Sequence, residues 1–105
     1  MAVYILNSAV LTAYGEYRYS PLEIRTARAL LASGFTSAVG HAGAAEFCSV
    51  LLELAVPYNR INIEMQPCDQ AVVIRIKDRL PEGRTLTAEE TRAVTHEVGL
   101  LVRVK

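Results

Sequence analysis

The chain holds two cysteines, two histidines and no net charge, and each shortage closes off a class of protein. Cys48 and Cys68 form no Cys-x-x-Cys pair, and no cluster of His and Cys stands close in sequence, so neither a structural zinc site nor any other metal is expected. Both thiols read as reduced, as in a cytosolic protein. Eleven basic residues balance eleven acidic ones. A chain without a basic excess lacks the footprint that coats long nucleic acid, so DNA is not an expected partner. No apolar run approaches the ~18 residues that suggest a membrane span, and no charged-then-apolar leader opens the sequence. The expected place is therefore the cytoplasm, with no membrane partner. Repeats, linkers and low-complexity stretches are absent as well. What remains is a chain of 105 residues, 51% of them hydrophobic, which reads as one domain over 1–105 with a core of its own.

Periodicity predicts an α/β fold: a mixed, roughly five-stranded sheet with helices mainly on one face. Val3–Leu6 reads as a buried strand, and Glu16–Tyr19 as a short extended piece. Ser20-Pro21-Leu22-Glu23 has the composition of a helix start, and Ile24, Ala27, Leu30 and Leu31 then share one helical face up to Gly34. Phe35–Val39 is predicted as a strand and Ala42–Leu54 as a second helix. Arg60–Met65 and Ala71–Lys77 alternate cleanly and are expected to pair as an antiparallel hairpin around the turn at Pro67–Gln70. Its polar face, with Arg75 and Lys77, is either solvent surface or a binding surface. Thr87-Ala-Glu-Glu90 is a capping box for a third helix running to Val98, with His96 in its last turn as a structural residue. Gly99 ends that helix, and Leu100–Val104 is the final strand.

Gly40-His41 is the most informative dipeptide. It joins an apolar run to a stretch of small residues, where a histidine meets the free N–H groups of a helix's first turn. Imidazole is suited to proton transfer near neutral pH. The pair either forms an anion cradle with a proton donor at its edge or merely occupies a polar loop. Nine of the eleven basic residues are arginine. Guanidinium forks suit phosphate, although base composition of the genome also enriches arginine.

Along nearly its full length the chain resembles one known family. The match runs through Leu6-Asn7-Ser8, Thr12, Gly15-Glu-Tyr17, Val39-Gly40-His41 and Asn59-Arg60, then Arg79-Leu-Pro-Glu82-Gly83 and Leu86-Thr87. In order and spacing this set resembles the ring nucleases that archaeal viruses and bacteriophages use as type III anti-CRISPR proteins, with homologues in bacterial chromosomes. The resemblance implies a homodimer that binds cyclic tetra-adenylate and cleaves it, without metal or cofactor, to linear di-adenylate, which switches off type III CRISPR signalling. Carried over by position, His41 is the catalytic histidine and Glu82 its supporting carboxylate. Arg60 and Arg79 contact the ligand, Asn7 is the asparagine closing the first strand, and Gly40 belongs to the same ligand-binding set. Viral relatives usually carry a hydroxyl residue soon after the Gly-His pair; here Ala42-Gly43-Ala44 offers none.

Those residue types fit the chemistry. When a sugar's own 2′-hydroxyl attacks the phosphodiester, the protein must align it, stabilise the phosphorane and protonate the departing 5′-oxygen. General-acid help of that kind is worth ~10²–10⁴-fold. Two other classes compete: a non-catalytic dimer that sequesters or senses a cyclic oligoadenylate, and a nucleic-acid interaction protein. The expected dimer also has a basis in the second helix, where Ala45, Cys48, Leu52 and Ala55 form one apolar stripe and Phe47, Leu51 and Leu54 another.

Overall fold

A computed structural model describes residues 1–80 and 86–105. In chain order the described elements are β1 (Val3–Leu6), β2 (Tyr17–Pro21), α1 (Ile24–Ala32), β3 (Thr36–Ser37), α2 (Ala42–Leu52), β4 (Gln70–Ile76), α3 (Ala88–Ala93) and β5 (His96–Arg103). They build one five-stranded sheet in the order β2-β5-β4-β1-β3. β1 is parallel to β3 and β4, whereas β5 is antiparallel to both β4 and β2. This is the mixed α/β sheet that the sequence predicts.

β4 lies inside the sheet, and Val72, Val73 and Ile74 in it are fully buried. Such a strand is apolar on both faces because both are covered. On one face Ile5, Val72 and Ile74 pack against Ala27 and Leu31 of α1 and against Ala45, Phe47, Cys48, Leu51 and Leu52 of α2. On the other, Leu6, Ala71, Val73 and Leu101 form a smaller cluster closed by Met65 and Ile63. Both apolar stripes of α2 are consequently buried within the chain, apart from half-buried Leu54 and exposed Ala55. This removes the expected argument that one of them is left over for a partner subunit.

The expected hairpin of Arg60–Met65 with Ala71–Lys77 does not form. The edges of β4 are taken by β1 and β5, so Arg60–Met65 has no strand to pair with and runs as irregular chain. Its alternation survives all the same, because Ile63 and Met65 still point into the second cluster. Side chains anchor the segment: Ser37 Oγ donates to the Pro57 carbonyl (2.7 Å), Asn59 Nδ2 donates to the Ser37 carbonyl (2.8 Å) and the Met65 N–H donates to Thr12 Oγ1 (2.9 Å).

Two helix boundaries also move. Ser20 and Pro21 belong to β2, paired with Leu100 and Gly99; Pro21 sits on the edge strand, where a missing N–H costs nothing. α1 therefore starts from Glu23, without a side-chain cap. The capping box at Thr87 is present, with Thr87 Oγ1 and Glu90 Oε1 each accepting a backbone N–H at 3.1 Å. However, α3 ends at Ala93 rather than Val98. Lys77 N–H reaches the Thr95 carbonyl (2.8 Å) and Asp78 Oδ2 accepts from Thr95 N–H (2.7 Å), so the chain from His96 onward is drawn into the sheet. Gly99 lies inside β5 and does not stop a helix. A Cβ there would stand 2.4 Å from the Tyr19 ring, which lies across it. His96 sits at the start of β5, with Nδ1 2.7 Å from the Val94 carbonyl and its ring edge-on to Phe47.

Candidate functional site

Because β1, β3 and β4 run in parallel, their carboxyl ends emerge at one edge of the sheet, where ligands commonly bind in α/β folds. Asn7 follows β1, Gly40-His41 follows β3 and Arg79 follows β4. Asn7, Gly40-His41 and Arg79 thus come to one edge of the sheet from three distant stretches of chain. Glu82 lies outside the described residues.

His41 is the N-cap of α2. Its backbone is extended (φ −141°, ψ 125°), its carbonyl accepts the Ala45 N–H (2.9 Å), and its Nδ1 accepts the Ala44 N–H (3.3 Å). A ring nitrogen that accepts carries no proton, so the neutral imidazole keeps its proton on Nε2. The side chain is exposed. Helix geometry leaves the Ala42 and Gly43 N–H groups without an intrahelical partner beside it.

Arg60 reaches this edge by a close approach of two segments. The Asn59 N–H donates to the Val39 carbonyl (2.9 Å), and a Cβ on Gly40 would stand 3.2 Å from Arg60 Cγ and 3.6 Å from its Cα. Gly40 therefore acts through shape, by letting Arg60 lie against the His41 turn. On the far side, Leu80 approaches Gly43 (Cδ1 3.8 Å from where a Cβ would be) and brings exposed Arg79 towards the start of α2. Among the described residues neither the Arg60 nor the Arg79 guanidinium makes a hydrogen bond or ion pair. Two exposed arginines at the same sheet edge as an exposed imidazole suit an anionic ligand.

Asn7 opens onto a cleft of about 300 Å³ on the sheet face away from the helices. Its polar lining comes from Asn7, Ser8, Thr12 and Asn62, and Val10 and Ile61 flank it. His41 is not in that cleft; Arg60, next to Ile61 and Asn62, links the two regions. Asn62 joins the lining of this cleft; the sequence places it on the polar side of an alternating stretch, a face open to either solvent or a ligand, and does not single it out.

The sheet face away from the helices carries no free basic patch at Arg75 and Lys77. Both cations hold Glu97, at 3.0 and 3.3 Å, and Tyr19 Oη donates to the same carboxylate (2.7 Å). The Tyr19, Arg75 and Lys77 hydrogen bonds hold the Glu97 carboxyl down at about 2, while burial and the Glu97 carboxylate push the Tyr19 phenol up to about 12. Among the described residues no three His, Cys, Asp or Glu side chains stand together as a metal site would need, and no helix is long and apolar enough to cross a membrane.

Residues 3–98 match the family described as STIV B116-like. The chain belongs to that family. It is 32% identical over 112 residues to the uncharacterized protein ORF117 of Acidianus two-tailed virus, a match covering 100% of this chain and 96% of the other. It is 35% identical to the uncharacterized protein 26 of Sulfolobus islandicus filamentous virus, over 93% of this chain and 88% of that one. The uncharacterized protein YddF of Bacillus subtilis is 25% identical over 99% of each chain. Among solved structures, B116 of Sulfolobus turreted icosahedral virus shares the fold with a TM-score of 0.85 at 20% identity, covering 98% of this chain and all of that one.

Proposed function

We propose that this member of the STIV B116-like family is a metal-independent ring nuclease. It opens cyclic tetra-adenylate to linear di-adenylate products and so removes the second messenger of type III CRISPR signalling in the cytoplasm. The observation that carries the reading is His41: an exposed imidazole whose Nδ1 is occupied by the helix cap, leaving Nε2–H for a ligand, at the sheet edge to which Arg60 and Arg79 also come, each without a partner among the described residues.

In this reading Arg60 and Arg79 hold ring phosphates and stabilise the phosphorane. In the acid form His41 carries a proton on both nitrogens, the Ala44 cap is released and Glu82 is the carboxylate assigned to hold Nδ1–H. The 2′-hydroxyl gives its proton to solvent as its oxygen bonds to phosphorus, the P–O5′ bond breaks, and the departing 5′-oxygen takes the Nε2 proton, leaving a neutral imidazole that can return to the cap. A four-fold ring matches a two-fold site, and a C₂ homodimer supplies one by presenting the same residues twice. Exposed Val10 and Ile61, which flank the Asn7 cleft, are apolar groups that such a dimer would cover.

The test is to incubate purified protein with cyclic tri-, tetra- and hexa-adenylate, with and without excess EDTA, and to separate the products. Linear di-adenylate from the four-membered ring in both conditions is the expected result. Retention of the intact ring in a protein complex would favour a sequestering dimer, and loss of activity in EDTA restored by a divalent ion would remove the internal-hydroxyl mechanism.

A further inference from the structure

We infer that Gly43 is a positioning residue: its missing Cβ lets the His41 imidazole lie against the first turn of α2, where the Ala44 N–H fixes the tautomer that presents Nε2–H outward. This rests on the reading of His41 as the proton donor. A Cβ at Gly43 would stand 3.2 Å from His41 Cε1 and 3.4 Å from Nδ1. The first distance is tighter than ordinary carbon contacts of 3.5–4.0 Å, so the ring would have to retreat by a few tenths of an ångström. The cap cannot absorb that retreat, because Ala44 N to Nδ1 already measures 3.3 Å, at the far end of hydrogen-bonding range. Leu80, 3.8 Å from the same point, borders the added group on another side.

The helix itself does not need glycine there. Gly43 has no left-handed backbone, and alanine is the better helix former. A glycine that weakens its helix and touches an imidazole is therefore explained by the imidazole.

The protein carries its own comparison. His96 Nδ1 lies 2.7 Å from the Val94 carbonyl, an atom that only accepts, so its proton belongs on Nδ1. The two histidines should occupy opposite tautomers.

The test is long-range ¹H–¹⁵N correlation on histidine-labelled protein, at a pH where both rings are neutral. The expected pattern is a protonated Nε2 at His41 and a protonated Nδ1 at His96. In Gly43→Ala, with melting temperature unchanged or raised, His41 should move to the averaged signature of a free imidazole while His96 stays put. A protonated Nδ1 at His41 in the parent protein overturns the inference, and so does a Gly43→Ala protein with the parent's imidazole signature. Opposite tautomers in a parent protein that leaves the ring intact would sink the nuclease reading alone, and the placement of the imidazole would stand.

Discussion

Replacing Gly99 by alanine tests the packing of the sheet face away from the helices. The added Cβ would stand 2.4, 2.5 and 2.6 Å from Cε1, Cζ and Oη of Tyr19, well inside van der Waals contact. The ring must swing away, and it then gives up the 2.7 Å bond to Glu97. Overpacking of this kind typically costs ~1–3 kcal/mol, which for a domain of this size lowers the melting temperature by ~5–20 °C. The three nearest atoms all belong to Tyr19, so the clash should vanish with that ring. In a Tyr19→Ser background, Gly99→Ala should be neutral or slightly stabilising, because alanine is less flexible than glycine in a strand. Thermal denaturation of the four proteins of that double-mutant cycle measures the coupling. Equal destabilisation by Gly99→Ala in both backgrounds would refute the reasoning.

Three further predictions concern charge, thiols and anion binding. The Glu97 carboxyl drops from an ordinary 4.5 to about 2 on folding, so its contribution is complete above pH 4.5 and is lost as pH falls from there towards 2; Glu97→Gln should flatten the pH dependence of unfolding in that window, and an unchanged profile would contradict the network. Burial pushes the Cys48 thiol up to about 12 while Cys68 is exposed, so a thiol reagent at pH 8 should label one cysteine in the folded chain and two after denaturation. Alanine at Arg60 or Arg79 should weaken binding of cyclic tetra-adenylate by roughly tenfold or more, as for a lost charge-assisted phosphate contact, and should flatten the salt dependence of binding; titrations that match the parent for both variants would put the site elsewhere.

Much of the fold is legible where local and long-range preferences agree. The apolar run Ala71–Ile74 reads as a buried strand and is one, and the Thr87–Glu90 capping box forms as its residues predict. The failures share a cause: sheet pairing settles competitions that local sequence leaves open. Ser20-Pro21 has helix-start chemistry, yet β5 offers those residues a partner strand. Val94–Val98 fits a helical continuation, but Val94 and Val98 are β-branched, and β4 captures the stretch. Arg60–Met65 alternates like a strand, and only the occupation of both edges of β4 excludes it from the sheet, which no six-residue window contains. Of the candidate site, the place of His41 at a strand-to-helix junction is legible, because an apolar run precedes it and small residues follow it. The approach of Arg60 to Gly40 is not, since it depends on Asn59 bonding across to β3.

The central claim is that His41 supplies the proton for ring opening, and His41→Asn tests it most directly. Asparagine is a strong N-cap, so α2 keeps its start and the fold its stability while the imidazole is gone. Single-turnover cleavage of cyclic tetra-adenylate in excess EDTA should slow by about two to four orders of magnitude, with ring affinity close to that of the parent. Turnover near the parent's rate in a folded His41→Asn protein would contradict the account.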